Sequence, residues 1–199
     1  MGGDESRHPG DEVAKHTADA FAPSNAQIDV SGDDLRPLIV TARLDDATFA
    51  RFDALRRAHF PPALNHLPAH LTLFHHLPGE ALAEVVDACA AAARAGPFPL
   101  EVTGLRPLGR GVAYALAAPE LAAAREAIGR RFADRVTPQD RQPFRPHVTV
   151  QNKTTPENAR ALLAELQAGF APFAAICTGL LVWRYLGGPW ALEAELPAP

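Results

Sequence analysis

Two kinds of hydrophobic pattern alternate along the chain from Pro37 onward. Short apolar or alternating runs predict strands over about 38–44, 70–77, 98–105, 112–117, 146–151, 174–185 and 190–196. Apolar residues spaced three or four positions apart predict helices over about 47–59, 82–95, 119–132 and 156–170. The order strand, helix, short strand, helix therefore occurs twice. Such a duplication favours an α+β fold with two lobes around a cleft.

Residues 1–36 lack this periodicity and contain several Gly and Asp residues with only scattered apolar ones. A segment of this kind buries too little apolar surface to offset the entropy lost on ordering, so we predict a disordered acidic tail. It also lacks the basic segment and apolar run of a secretory signal. We therefore expect a tail over 1–36, followed by one folded domain over 37–199.

The charge of the chain is unevenly distributed. The 199 residues carry 19 Lys and Arg against 23 Asp and Glu, for a formal net charge of −4. Eight acidic and three basic residues fall in 1–36, so the predicted domain is almost neutral. This balance disfavours a protein that coats long nucleic acid, but it is compatible with a cleft that takes one phosphate end.

The composition also indicates in which cellular compartment the protein functions. Two cysteines, Cys89 and Cys177, cannot form a disulfide framework, which indicates a reducing environment. No run of 18 apolar residues occurs, so no membrane-spanning helix is predicted. We expect a cytoplasmic monomer without a membrane partner.

A His-x-Thr motif lies at the same place in each duplicated unit. The two copies read Pro68-Ala69-His70-Leu71-Thr72-Leu73 and Arg145-Pro146-His147-Val148-Thr149-Val150. On a strand, His and Thr two positions apart share a face, while the aliphatic residues take the opposite face. Two imidazoles can act as a general base and a general acid near neutral pH, and hydroxyl groups can bind phosphate oxygens. This chemistry requires no metal.

The paired His-Leu-Thr-Leu and His-Val-Thr-Val resemble the signature of the 2H phosphoesterase superfamily, in its 2′–5′ RNA ligase and cyclic phosphodiesterase branch. The resemblance covers about 37–196. It implies a bilobal α+β fold in which two antiparallel sheets line a central cleft with helices outside. By the same resemblance, His70 and His147 match the catalytic pair, and Thr72 and Thr149 match the phosphate-binding hydroxyls. Which histidine is the base and which the acid stays open.

The resemblance further implies a metal-independent and cofactor-free reaction on 2′,3′-cyclic phosphates or 2′,5′-phosphodiester bonds. The expected partners are RNA ends that carry such a phosphate, or small cyclic nucleotides.

Three further residues are candidates for substrate binding. Strand alternation places His76 on the face of the first motif and Lys153 on the face of the second. Phe144, just before the second motif, is a candidate to stack on a base, although closing the core is the safer interpretation.

Two alternatives accompany this hypothesis. Five histidines lie within 18 residues and invite a metal-site interpretation, although their spacing fits no compact ligand motif. These are His59, His66, His70, His75 and His76. The other alternative is a nucleotide-binding regulatory module of the same fold with little turnover. The presence of His and Thr in both halves favours the enzyme, since a pure binder does not need two proton-transfer groups.

Overall fold

The computed structural model describes residues 34–199 and contains every predicted helix and strand. The strands are β1 (Leu38–Leu44), β2 (Leu71–Leu77), β3 (Phe98–Pro107), β4 (Val112–Ala117), β5 (His147–Gln151), β6 (Phe173–Tyr185) and β7 (Trp190–Pro197). The helices are α1 (Asp46–His59), α2 (Leu82–Ala93), α3 (Pro119–Arg131) and α4 (Pro156–Ala168). The α+β class and the repeated order of elements are therefore confirmed.

The strands form one antiparallel sheet of seven strands in the order β2-β1-β6-β3-β4-β5, with β7 also paired to β6. The expected division into two separate sheets does not appear in this form, because the 13-residue strand β6 joins the two halves. Its first residues, Phe173–Cys177, pair with β3, and the following residues pair with β1 and β7. A strand this long can serve both halves, whereas the sequence pattern alone does not reveal strand partners.

The two ends of this sheet meet. Strands β2 and β5 are the first and the last in the strand order, yet they contact each other. The second His-x-Thr motif lies in β5, and the first begins at His70, directly before β2. The curvature of the sheet therefore brings together two motifs that are 77 residues apart in the sequence.

The main core lies between the sheet and the four helices. Alternate strand residues such as Val40, Val148 and Val182 belong to this core, together with helical residues such as Phe52 and Ile128. A smaller apolar cluster lies outside it and comprises Ile39, Leu181, Trp183, Trp190 and Leu192. Because paired strands share their alternation, His147 and Thr149 point away from the main core, which leaves them on the face without helices.

Helix α1 is fixed to the sheet at its first turn. The Asp45 carboxylate accepts hydrogen bonds from the N–H of Thr48 at 2.9 Å and from the N–H of Ile176 in β6 at 2.9 Å. The first bond is a helix N-cap and the second crosses to the sheet. Asp45 therefore determines both where α1 begins and where it lies.

The predicted tail falls almost entirely outside the described residues. Its last three residues, 34–36, are nevertheless bound to the domain. The buried Arg184 guanidinium donates to the carbonyl oxygens of Asp34 at 2.7 Å and Arg36 at 3.2 Å and pairs with Glu193. The contacts of the folded domain thus begin by Asp34. No helix among residues 34–199 is long and apolar enough to cross a membrane.

Candidate active site

The two motif histidines are held in the same way. His70 lies directly before β2, and its Nδ1 is 2.8 Å from the carbonyl oxygen of Pro68. His147 opens β5, and its Nδ1 is 2.8 Å from the carbonyl oxygen of Arg145. A carbonyl oxygen only accepts, so each Nδ1 carries the hydrogen and Nε2 is the basic nitrogen of the neutral ring. Within residues 34–199 neither Nε2 has a hydrogen-bond partner.

Both imidazoles are neutral at neutral pH. Burial lowers the pKa of His70 to about 4. The positive charge of Arg56 contributes, as do the charges that His75 and His147 carry when protonated. The ring of His70 packs against Trp190 with 4.9 Å between the ring centroids. Burial also lowers the pKa of His147, with a contribution from the positive charge of Arg106. A neutral ring can take a proton at Nε2, and the protonated ring can give one there.

The motif threonines flank these rings. Thr72 lies opposite Thr41 in the β1–β2 ladder, and Thr149 lies opposite Ala113 in the β4–β5 ladder. Both threonines are partly buried, and among the described residues neither hydroxyl has a hydrogen-bond partner. The hydroxyl groups are therefore available to donate to a phosphate oxygen.

Two arginines connect each duplicated unit to the motif strand of the other unit. Arg56 of α1 is 5% exposed, and its Nη1 donates to the carbonyl oxygen of Thr149 at 2.9 Å. Its Nε donates to the carbonyl oxygen of Leu67, also at 2.9 Å. Arg125 of α3 makes the reciprocal link, because its Nε donates to the carbonyl oxygen of Leu73 in β2 at 2.8 Å. A helix of each unit therefore holds the motif strand of the other unit.

The chain matches the family model described as the 2′-5′ RNA ligase superfamily over residues 44–189, which includes both motifs. The chain belongs to the 2′-5′ RNA ligase superfamily. Membership of this superfamily supports a phosphoesterase or RNA-ligase-like function. No curated protein is significantly similar to the chain.

Solved structures share the fold of this superfamily member. TT0787 of Thermus thermophilus has 18% identity and a TM-score of 0.56, covering 81% of this chain and 97% of its own. A phosphoesterase has 19% identity and a TM-score of 0.53, covering 83% and 99%. LigT of E. coli in complex with NADP+ has 18% identity and a TM-score of 0.52, also covering 83% and 99%. At these identities the likeness concerns the fold.

Two of the predicted binding residues, Lys153 and Phe144, lie outside strand β5. Strand β5 ends at Gln151, so alternation does not extend to Lys153, which is exposed in a turn with φ of 59°. Phe144 packs against the main core with the Arg125 guanidinium 5.1 Å from its ring centroid, which favours the packing interpretation.

Strand β2 does not alternate strictly beyond Thr72. Register shifts against β1 interrupt the ladder on both sides of Phe74, and the side chains of both His75 and His76 are exposed. Alternation therefore fails as the reason to prefer His76. Of these two histidines, His75 is the one whose charge is among those that lower the pKa of His70 and of His147. Its Nδ1 lies 3.1 Å from Oδ1 of the buried Asp140.

Sequence reasoning did not select Arg106 either. Arg106 in β3 lies in one row with Ala113 and Thr149, so it shares their face of the sheet. The register shift between Val102 and Gly104 changes the alternation of β3, and a count of polar positions does not reveal such a bulge. Among residues 34–199, no group of three or more His, Cys, Asp or Glu side chains is arranged to hold a metal ion.

Proposed function

We propose that this protein is a phosphoesterase that opens 2′,3′-cyclic phosphates or cleaves 2′,5′-phosphodiester bonds of RNA ends or nucleotides. His70 and His147 act as the acid–base pair, and Thr72 and Thr149 bind the non-bridging oxygens of the phosphate. The family supports the reaction class. The substrate and the two-histidine mechanism are the proposal.

One observation supports the two-histidine mechanism more strongly than the others. Two imidazoles on meeting edge strands have the same tautomer, imposed by a carbonyl oxygen two residues earlier in each case. Both have an unpartnered Nε2 within the described residues. Acid–base catalysis requires this atom to be free in each ring, whereas a histidine with a packing role does not.

The proposed hydrolysis of a cyclic phosphate needs two proton transfers. One histidine accepts a proton from water at Nε2 while the water oxygen forms a bond to phosphorus. The other histidine begins the cycle protonated on both nitrogens. As the bond from phosphorus to the 2′- or 3′-oxygen breaks, this histidine gives its Nε2 proton to that oxygen. The threonine hydroxyls stabilise the negative charge that gathers on the non-bridging oxygens. The product is a phosphomonoester, and one later proton transfer restores both rings.

A turnover assay with 2′,3′-cyclic nucleotides and with RNA that ends in a 2′,3′-cyclic phosphate tests the proposal. We expect release of a phosphomonoester product that is unchanged by a chelator. A protein that binds the nucleotide without turning it over would contradict the enzyme hypothesis and favour the regulatory module. Activity lost on chelation and restored by a metal would contradict the two-histidine mechanism.

A further inference from the structure

A third histidine next to the motif pair is held by a buried carboxylate. Asp140 is 4% exposed and lies in the segment that leads from α3 to the second motif. Its carboxylate accepts from the backbone N–H of His75 at 2.9 Å and of His76 at 2.8 Å. These bonds fasten the far end of β2 to the segment before β5.

The imidazole of His75 also contacts this carboxylate, because its Nδ1 lies 3.1 Å from Oδ1 of Asp140. Burial raises the pKa of Asp140, but the hydrogen bonds from His75 and His76 together outweigh this effect and lower the pKa. The group is therefore an ionised acceptor, and Nδ1 of His75 must carry a hydrogen. Nδ1 of His75 is thus engaged by Asp140, and Nε2 is the ring nitrogen left for a ligand. Because the two ring nitrogens point in different directions, Nε2 of His75 is turned away from Asp140.

A purely structural role does not account for this ring. The two backbone N–H groups already bind the Asp140 carboxylate, and the His75 side chain is 47% exposed, so its ring contributes little to packing. What the carboxylate adds is a defined orientation of an otherwise mobile imidazole.

His75 also lies within electrostatic range of both motifs. A positive charge on His75 is among the causes that lower the pKa of His70 and of His147. The contact between β2 and β5 agrees with this placement. A cation here disfavours protonation of the catalytic rings, but it attracts the negative charge of a phosphate.

We propose that His75 is a third phosphate-binding histidine. Asp140 orients its ring so that, when both nitrogens are protonated, Nε2–H donates to a phosphate oxygen of the bound substrate. This inference rests on the proposed function for the identity of the substrate. It assigns His75 to binding, with proton transfer left to His70 and His147.

Phosphate binding tests the inference without turnover. The probe is inorganic phosphate, titrated calorimetrically into the full chain and into the variants His75→Leu, His75→Gln and His66→Leu. His66 is an exposed histidine before the first motif and serves as the matched control. One charge-assisted hydrogen bond corresponds to about ten-fold in affinity. We expect that loss in His75→Leu, a smaller loss in His75→Gln, which keeps a neutral donor, and none in His66→Leu.

Kinetics with a 2′,3′-cyclic nucleotide provide the second readout, with melting temperatures to verify folding. The inference predicts that His75→Leu raises KM about ten-fold while kcat changes less than about three-fold. Unchanged phosphate affinity and KM in His75→Leu would overturn it and leave the proposed function intact. A wild-type chain without hydrolysis would overturn the proposed function, and the titration would still decide the role of His75. A wild-type chain that binds no phosphate would overturn the inference.

Discussion

Replacing Arg56 by methionine tests whether α1 holds the two motif strands in place. The guanidinium donates from Nε to Oδ1 of Asn65 at 2.8 Å and to the carbonyl oxygen of Leu67 at 2.9 Å, and from Nη1 to the carbonyl oxygen of Thr149 at 2.9 Å. Burial lowers the pKa of Arg56, but an arginine remains charged at every pH of interest. Methionine keeps the apolar stem and removes all three hydrogen bonds.

The size of the effect follows from these contacts. A hydrogen bond to a charged group contributes about 1.5–3 kcal/mol, and each buried acceptor left unpaired costs about 1–3 kcal/mol. Removing the buried charge itself is favourable and offsets part of this loss. We therefore expect Arg56→Met to lower the free energy of unfolding by about 3 kcal/mol. Catalysis should fall as well, because the strand that presents His147 and Thr149 loses its anchor.

Urea unfolding measures the free energy, and kcat/KM on a cyclic nucleotide measures the catalytic effect. Arg130→Met is the matched control, since Arg130 is a helical arginine whose side chain is 68% exposed. Within residues 34–199 its one ion-pair partner is the exposed Glu126. Its loss should cost no more than about 0.5 kcal/mol. If Arg56→Met were as stable and as active as Arg130→Met, Arg56 would not hold the motif strands together.

Three further outcomes are expected. Because the pKa values of His70 and His147 both lie below the ordinary ~6.5, kcat/KM should peak below pH ~6.5; a maximum above pH ~7.5 would contradict this. As the pH is lowered, His70 takes up a proton at a higher pH in the unfolded chain than in the folded protein. The free energy of unfolding should therefore fall between pH 6.5 and about 4, by up to about 3 kcal/mol. Urea unfolding should show a smaller fall in the free energy of unfolding for His70→Gln than for the wild type. An equal fall in both proteins would refute the assignment of this pH dependence to His70. Gly111→Ala places a Cβ 2.0 Å from the carbonyl oxygen of Gln151 in β5, so it should cost about 1–3 kcal/mol and reduce activity. Gly169→Ala, with open space around the added Cβ, is the control, and equal urea midpoints would contradict the clash.

The elements of the fold were largely predictable because each has a local signal. Strand β1 has the predicted bounds, and α1 begins at Asp46, one residue before the predicted start of this helix. The motif strands β2 and β5 were also predicted to within about one residue. Periodicity reports which face of an element is buried, and this information suffices to place His147 and Thr149 on one face.

The way in which the two halves join could not be predicted, because it depends on contacts distant in sequence. Strand β6 pairs with β3 along one part and with β1 and β7 along another. Gly179 lies where the partners change, but a glycine within a strand pattern does not reveal which strands those partners are. The same limit applies to Arg56 and Arg125, which look like ordinary helical arginines in the sequence although they bind carbonyl oxygens of the opposite unit.

Irregularities in the strands explain why strict alternation predicted the wrong facing residues around the site. Alternation favours His76, but the shifted register of β2 leaves His75 as the neighbour of Asp140. It also favours Lys153, which lies beyond the end of β5. Where a bulge breaks the two-residue alternation of a strand, counting positions no longer predicts which side chains face the site.

The most direct test of the central claim compares His70→Ala, His147→Ala and the double variant in hydrolysis of a 2′,3′-cyclic nucleotide, with phosphate binding as the check of an intact site. If the two imidazoles act as one acid–base pair, each single variant should lose about 10²–10⁴-fold in kcat. The double variant should lose little more than either single variant, since removing one partner already disables the pair. Wild-type turnover in either single variant would contradict the account.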